Sequence, residues 1–188
     1  DTTEIDDAAS LQDLPNGNKL LGLHIAVPSL GILADSALEK RVFEHQSTVY
    51  YPGGKITMLP PEWIAAYSLD EGMLRPAISL YLEVNPEFEV VRTETKLESI
   101  YVANNLRIQD IEEAFLPEQP RSATEAFPHQ HAMNWMYDFG IARMKVRGKY
   151  DPDRLPQYDY NIELDENEHV QIKVRERGSP IDTMVSEL

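Results

Sequence analysis

Residues 77–102 constrain the fold more than any other part of the chain. AISLYLEV and FEVVRTETKLESIYV are rich in β-branched and aromatic side chains, which suit a pleated, half-buried surface. Asn85 and Pro86 between them are turn residues: asparagine bonds its own backbone two residues on, and proline pre-sets φ for a tight reversal. The segment therefore reads as a β-hairpin, and a chain built on it cannot be all-helical.

The remaining pattern alternates hairpins with helices. Ala8 to Leu11 and Leu20 to Val27 flank LPNGN, where Asn16 and Gly17 tolerate positive φ, and form another hairpin. Ser36 followed by Glu39 is a capping-box pattern opening a helix through His45. STVYYP is β-rich, Pro52, Gly53 and Gly54 turn the chain into KITML, and Pro60 and Pro61 introduce a short helix containing Trp63. IQDIEEAF sets Ile108, Ile111 and Phe115 on one helical face; a polar, proline-bearing loop follows, then a longer helix from His131 to Lys145. YDYNIEL and HVQIKVRER flank a turn over Asp165 to Glu168, and Ser179, Pro180 and Asp182 open a last helix. The expectation is a mixed α/β (α+β) domain with a mixed sheet, hairpins and packed helices.

Composition narrows the chemistry. The 188 residues, 42% of them hydrophobic, suit one globular domain. The absence of cysteine excludes a disulfide framework, a Cys-ligated zinc site, an iron–sulfur cluster and a cysteine nucleophile. It also fits a reducing compartment, and the acidic start DTTEIDDAAS is unlike a signal peptide, so a cytoplasmic protein without a membrane span is expected. The net charge of −15, from 17 Lys and Arg against 32 Asp and Glu, argues against a basic face that wraps duplex DNA. It leaves room for a phosphate met through a metal held by carboxylates.

Four carboxylates, Asp1, Glu4, Asp6 and Asp7, crowd the first seven residues, and carboxylate oxygens suit hard cations such as magnesium or manganese. Adjacent Asp6 and Asp7 would face opposite sides of a strand, so both reach one metal centre only from an irregular segment. On spacing alone, a solvated acidic terminus is the better reading of the run, since acidic runs are usually just exposed.

The order of the surrounding segments goes further. TTEIDDA is followed by GLHIAVPS, then SALEKRVFEHQSTVYYPGGKITMLPPE, then YSLDEGMLRPAIS. Together these resemble the catalytic RNB domain of the RNase II family of exoribonucleases. In that family an aspartate cluster ending in DDA precedes a strand of the HIADVS type, a segment ending in TSVYxPxxxIPMLP and a CSLxxxxxR element. The resemblance continues into RERGSPIDTMVSEL and covers essentially the whole chain.

The resemblance implies a 3′-to-5′ exoribonuclease that hydrolyses single-stranded RNA to nucleoside 5′-monophosphates. Two magnesium or manganese ions, roughly 3.5 to 4 Å apart, would activate water and stabilise the leaving oxygen. Glu4, Asp6 and Asp7 match metal-site positions: Asp7 binding metal directly, Asp6 acting on the second metal or the attacking water, Glu4 through a longer arm. The three are expected to converge on one solvent-reachable concave site. Tyr50 matches a tyrosine that stacks on bases near the 3′ end. Arg75 matches the arginine after the CSL element and is either a phosphate contact or an ion-pair partner in the core.

Departures matter too. The family's first acidic position would fall before Asp1, and its catalytic domain continues past Leu188, so residues 1–188 read as a partial catalytic domain of a longer protein. Glu4 stands where aspartate is usual, and Val27, followed by Pro28, stands at the aspartate of HIADVS. These keep open a degenerate RNB domain that binds RNA or a protein partner without cutting.

Other features have plainer readings. His129 and His131 in PHQH lie in a loop or helix start without a nearby carboxylate pair and read as exposed. Arg143, Lys145, Arg147 and Lys149 fit a helix C-terminus, which favours cations. Met133, Trp135, Met136 and Phe139 read as core.

Overall fold

A computed structural model describes residues 4–117, 124–153, 155, 157–166 and 169–188. Asp1 and parts of the loop before the long helix and of the turn before His169 lie outside the described residues.

Two hairpins build the main sheet. The first joins β1 (Asp7–Asp13) to β2 (Lys19–Ala26) through residues 14–18, where Gly17 takes the positive φ, 85°. The second joins β5 (Leu74–Val84) to β6 (Val90–Tyr101), and its turn is tied by Asn85, whose side-chain oxygen accepts from Glu87 N at 3.1 Å and Glu89 N at 2.8 Å. β2 pairs with β5, giving the order β1-β2-β5-β6. Every described ladder is antiparallel, which corrects the expectation of a mixed sheet. Residues 27–73 return the chain to β2 running the opposite way, so no parallel crossover arises.

The two faces of this sheet differ because side chains alternate. Leu21 and Val84 are fully buried on one face, beneath α3 (Ile108–Ile111), α4 (Gln130–Val146) and α5 (Pro180–Glu187). These helices contribute Ile111, Met133, Met136, Phe139, Ile181 and Met184 to the core, and Phe115 joins them from the turn after α3. Trp135 stacks on Phe139 with 5.5 Å between centroids, so the aromatic and methionine run of α4 is packing, as its spacing suggests. α3 is shorter than IQDIEEAF suggests: after Ile111 the chain tightens into turns, with Ala114 N donating to Ile111 O, yet Phe115 N also donates to Ile111 O and Phe115 is buried.

The other face carries a polar row. His24, 4% exposed, sits between Ser10 Oγ at 2.9 Å and Ser79 Oγ at 2.8 Å, with its ring edge-on to Tyr81. Tyr81 donates to Glu98 at 2.7 Å. Gly22 makes the row possible: a Cβ there would lie 2.5 Å from Ser10 Oγ and 2.8 Å from His24 Nε2.

Smaller elements frame one end of the sheet. A 3₁₀ turn (Pro28–Gly31) leads to α1 (Ala37–His45), capped by Ser36, whose side chain accepts from Glu39 N. β3 (Val49–Tyr51) and β4 (Gly54–Ile56) form a short hairpin before α2 (Pro61–Tyr67). A separate hairpin of β7 (Gln157–Leu164) and β8 (Val170–Arg177) is held to α5 by Arg175, which donates to both carboxylate oxygens of Asp182 at 2.8 and 2.9 Å.

Burial of His24 lowers its pKa and keeps the ring neutral in the folded protein. The unfolded chain titrates this histidine near about 6.5, so the contribution is complete above that pH and is lost as pH falls toward the lower folded value. Stability should drop below about pH 6.5 with a His24 slope of at most about 1.4 kcal/mol per pH unit. Denaturant melts of the native protein and His24→Gln at several pH values measure it; equal slopes would contradict the assignment.

Candidate active site

The acidic segment before β1 is fastened by its backbone. Ile5 N donates to Ser68 Oγ at 3.1 Å, Leu69 N donates to Ile5 O at 2.9 Å, and Ala26 N donates to Asp6 O at 2.8 Å. Residues 4–6 are thus pinned between the end of β2 and the connection that leaves α2. Leu69 is fully buried, which anchors that connection.

Arg75 holds the same connection from β5. Its Nε donates to Ser68 O at 2.8 Å and a terminal nitrogen donates to Ala65 O at 3.0 Å, while Asp70 lies at 3.6 Å. The side chain is only 14% exposed. Of the two roles open from the sequence, these contacts are those of the structural ion-pair partner. Ser68 Oγ donates onward to Asp70 at 3.2 Å, so Arg75, Ser68, Asp70 and Ile5 form one network.

Glu4 points inward. Its side chain is 13% exposed; Thr48 Oγ1 donates to Oε2 at 3.4 Å, and the Lys55 ammonium lies 3.4 Å from Oε1. Oε1 is sealed from solvent without a hydrogen-bond partner. Asp6 and Asp7 are exposed. Partial burial, then the Glu4 and Asp7 carboxylates, push the Asp6 carboxyl above its ordinary value against the opposing pull of Lys55. Three negative groups therefore sense one another at this end of the sheet.

Tyr50 stands next to them. It is 70% exposed on β3 and pairs directly with Lys55 on β4, so both side chains project from the same face of the hairpin. One face thus presents an aromatic ring and a lysine that reaches Glu4. Lys55 and Thr48 are the site residues that motif reading passes over. Lys55 was nonetheless visible by counting: with Pro52 and Gly53 at the turn, Tyr50 and Lys55 fall opposite each other.

The donor set fits a divalent cation in its chemistry: hard oxygens, mutual repulsion that a cation relieves, and a buried carboxylate oxygen lacking a hydrogen bond. It is not a closed cage. Among the described residues no three acidic or histidine side chains gather in a group that could by itself hold a metal ion. The physical reason is visible at Glu4, whose longer arm is turned onto Thr48 and Lys55. Asp1, the remaining carboxylate of the run, lies outside the described residues.

The alternative features resolve simply. His129 stands at the N-cap position of α4 and bonds Asn104 Oδ1 at 2.9 Å, and His131 lies 3.5 Å from Glu125. Arg143 and Lys145 occupy the last turn of α4, and Arg147 pairs with Glu187 of α5. Val27 precedes the 3₁₀ turn, where Pro28 O accepts from Trp63 Nε1 at 3.1 Å. No described helix is long and apolar enough to cross a membrane.

The antiparallel sheet with its carboxylate-bearing first strand has known counterparts. The family model described as the RNB domain matches residues 1–188, and the chain belongs to that family. It is 33% identical over 184 residues to Ribonuclease R of Thermotoga maritima, covering 95% of this chain and 25% of that protein. It is 29% identical over 184 residues to Exoribonuclease 2 of Mannheimia succiniciproducens, covering 90% of this chain and 27% of that protein. The chain thus spans about a quarter of the length of these relatives. Its fold matches Mycoplasma genitalium RNase R, solved in complex with ribose-methylated single-stranded RNA, with a TM-score of 0.80 and 16% identity over 99% of this chain and 29% of that one. It also matches yeast Ssd1, a pseudonuclease, with a TM-score of 0.64 and 18% identity over 79% of this chain and 17% of that one.

Arg75→Ala should destabilise the protein by about 2 kcal/mol, the scale of charge-assisted hydrogen bonds lost with their acceptors left behind. Thermal melts and RNA-binding titrations separate the two roles. A lowered Tm with RNA affinity unchanged below the transition supports the structural one; weakened RNA binding at unchanged Tm would make Arg75 a phosphate contact.

Proposed function

We propose that this chain supplies part of the active site of a 3′-to-5′ exoribonuclease that hydrolyses single-stranded RNA to nucleoside 5′-monophosphates using magnesium or manganese. The observation that carries the reading is the exposed Tyr50 ring on the same hairpin face as Lys55, whose ammonium meets the Glu4 carboxylate. A base-stacking surface beside a carboxylate set is what cleavage next to a strand end requires. A cytoplasmic location goes with this reading.

Glu4, Asp6 and Asp7 are the residues to hold the cations, Asp7 directly, Asp6 toward the second ion or the attacking water, and Glu4 at longer reach. When bound, divalent cations supply activation of water and stabilisation of the leaving oxygen at phosphorus. The protein's own part is positional. Ser68 Oγ, which accepts from Ile5 N, and the Leu69 and Ala26 N–H groups, which donate to Ile5 O and Asp6 O, fix the acidic segment, and Tyr50 offers a π face that accepts any base.

A second reading, a degenerate RNB domain that binds RNA or a protein without cutting, is favoured by Glu4 being engaged with Lys55 and Thr48. Val27, in place of the motif aspartate, points the same way.

One experiment separates them. In the full-length protein, Asp7→Asn keeps side-chain size and removes the charge, so release of mononucleotides from 3′-labelled single-stranded RNA should fall by orders of magnitude while RNA affinity holds. Tyr50→Ala should weaken retention of short RNA, by about 1 to 3 kcal/mol, more than it slows chemistry. RNA binding without metal-dependent release of mononucleotides in the native protein would establish the binding-only reading.

A further inference from the structure

We infer that Lys55 is a built-in counter-ion that competes with the divalent cation for the Glu4 carboxylate, so that cation binding displaces its ammonium. This rests on the metal-site reading above and concerns a residue that the family resemblance leaves unspecified: in TSVYxPxxxIPMLP, position 55 falls on a variable residue.

Geometry carries the argument. Lys55 Nζ lies 3.4 Å from Glu4 Oε1, an oxygen closed to solvent and without a hydrogen bond, so the ammonium supplies the positive charge facing that atom. The lysine is held there by two constraints. It pairs with Tyr50 across a three-residue ladder closed by the Pro52–Gly53 turn, and Thr48, one residue before β3, bonds the other oxygen of Glu4. The hairpin and the acidic segment thus meet through Glu4 at two points, one of them charged. A lysine stem is flexible and its ammonium is a compact point charge, so it can withdraw when a cation arrives; an arginine fork would be harder to dislodge.

A fixed positive charge this close opposes a second one. Two like charges a few ångströms apart repel by several kcal/mol near a protein surface, before screening and withdrawal of the lysine reduce the effect. Neutralising Lys55 therefore tightens cation binding, whereas exchanging it for another cation does not.

The test titrates the purified protein with Mn²⁺ alone and follows the free-ion signal by electron paramagnetic resonance, with circular dichroism confirming the fold of each variant. Lys55→Met should bind Mn²⁺ about tenfold more tightly than the native protein, a change of about 1.4 kcal/mol. Lys55→Arg should stay within about twofold of the native protein or bind more weakly. Asp6→Asn should lose the binding, which ties the signal to this site. If Lys55→Met binds as the native protein does or more weakly, the counter-ion inference falls and the metal-site reading stands. If native protein and variants alike bind no Mn²⁺, the metal-site reading falls and the inference with it.

Discussion

The hydrogen bonds between Ile5 and the Ser68–Leu69 connection are the constraint on which the site depends. An acidic run at the edge of a sheet would otherwise be solvated by its own mutual repulsion. Here two backbone bonds, plus Ala26 N to Asp6 O, hold it against the end of β2, and Arg75 secures the connection from β5. Ile5 and Ser68 are 63 positions apart in sequence, so the geometry at Glu4 and Asp6 depends on the packing of the connection between α2 and β5.

Local chemistry made most of the fold legible. The Asn16–Gly17 and Asn85–Pro86 turns, the Ser36 and Ser179 caps and the apolar spacing of α4 each act within a few residues, and all appear where the sequence places them. What escaped was long-range. Strand direction across β2 and β5 depends on how residues 27–73 return, and the clamp made by Ser68 and Arg75 has no local signature. The apparent helical run after Ile108 ends early, at Ile111, where Ala114 N and Phe115 N both donate to one carbonyl.

For the proposed site, the sequence marked candidate residues but not their arrangement. The motif order marked Glu4, Asp6, Asp7, Tyr50 and Arg75, and the structure brings Glu4, Asp6 and the Tyr50 hairpin into one neighbourhood. It gives Arg75 a structural set of partners and turns Glu4 onto Lys55 and Thr48. One extra methylene, glutamate for aspartate, lets that carboxylate reach the β3–β4 hairpin. The longer arm thus links the acidic segment to the hairpin that carries Tyr50, so a departure from the family pattern becomes a contact of this chain.

The central claim is that the acidic segment at the start of β1 is where a divalent cation enters, beside Tyr50. Paramagnetic broadening of backbone amide resonances by substoichiometric Mn²⁺ tests it directly. The account predicts that Ile5 to Ala8 and Lys55 broaden first, while the amides around His129 and His131 keep their intensity. Broadening centred on that histidine pair, or spread evenly over the acidic surface, would contradict it.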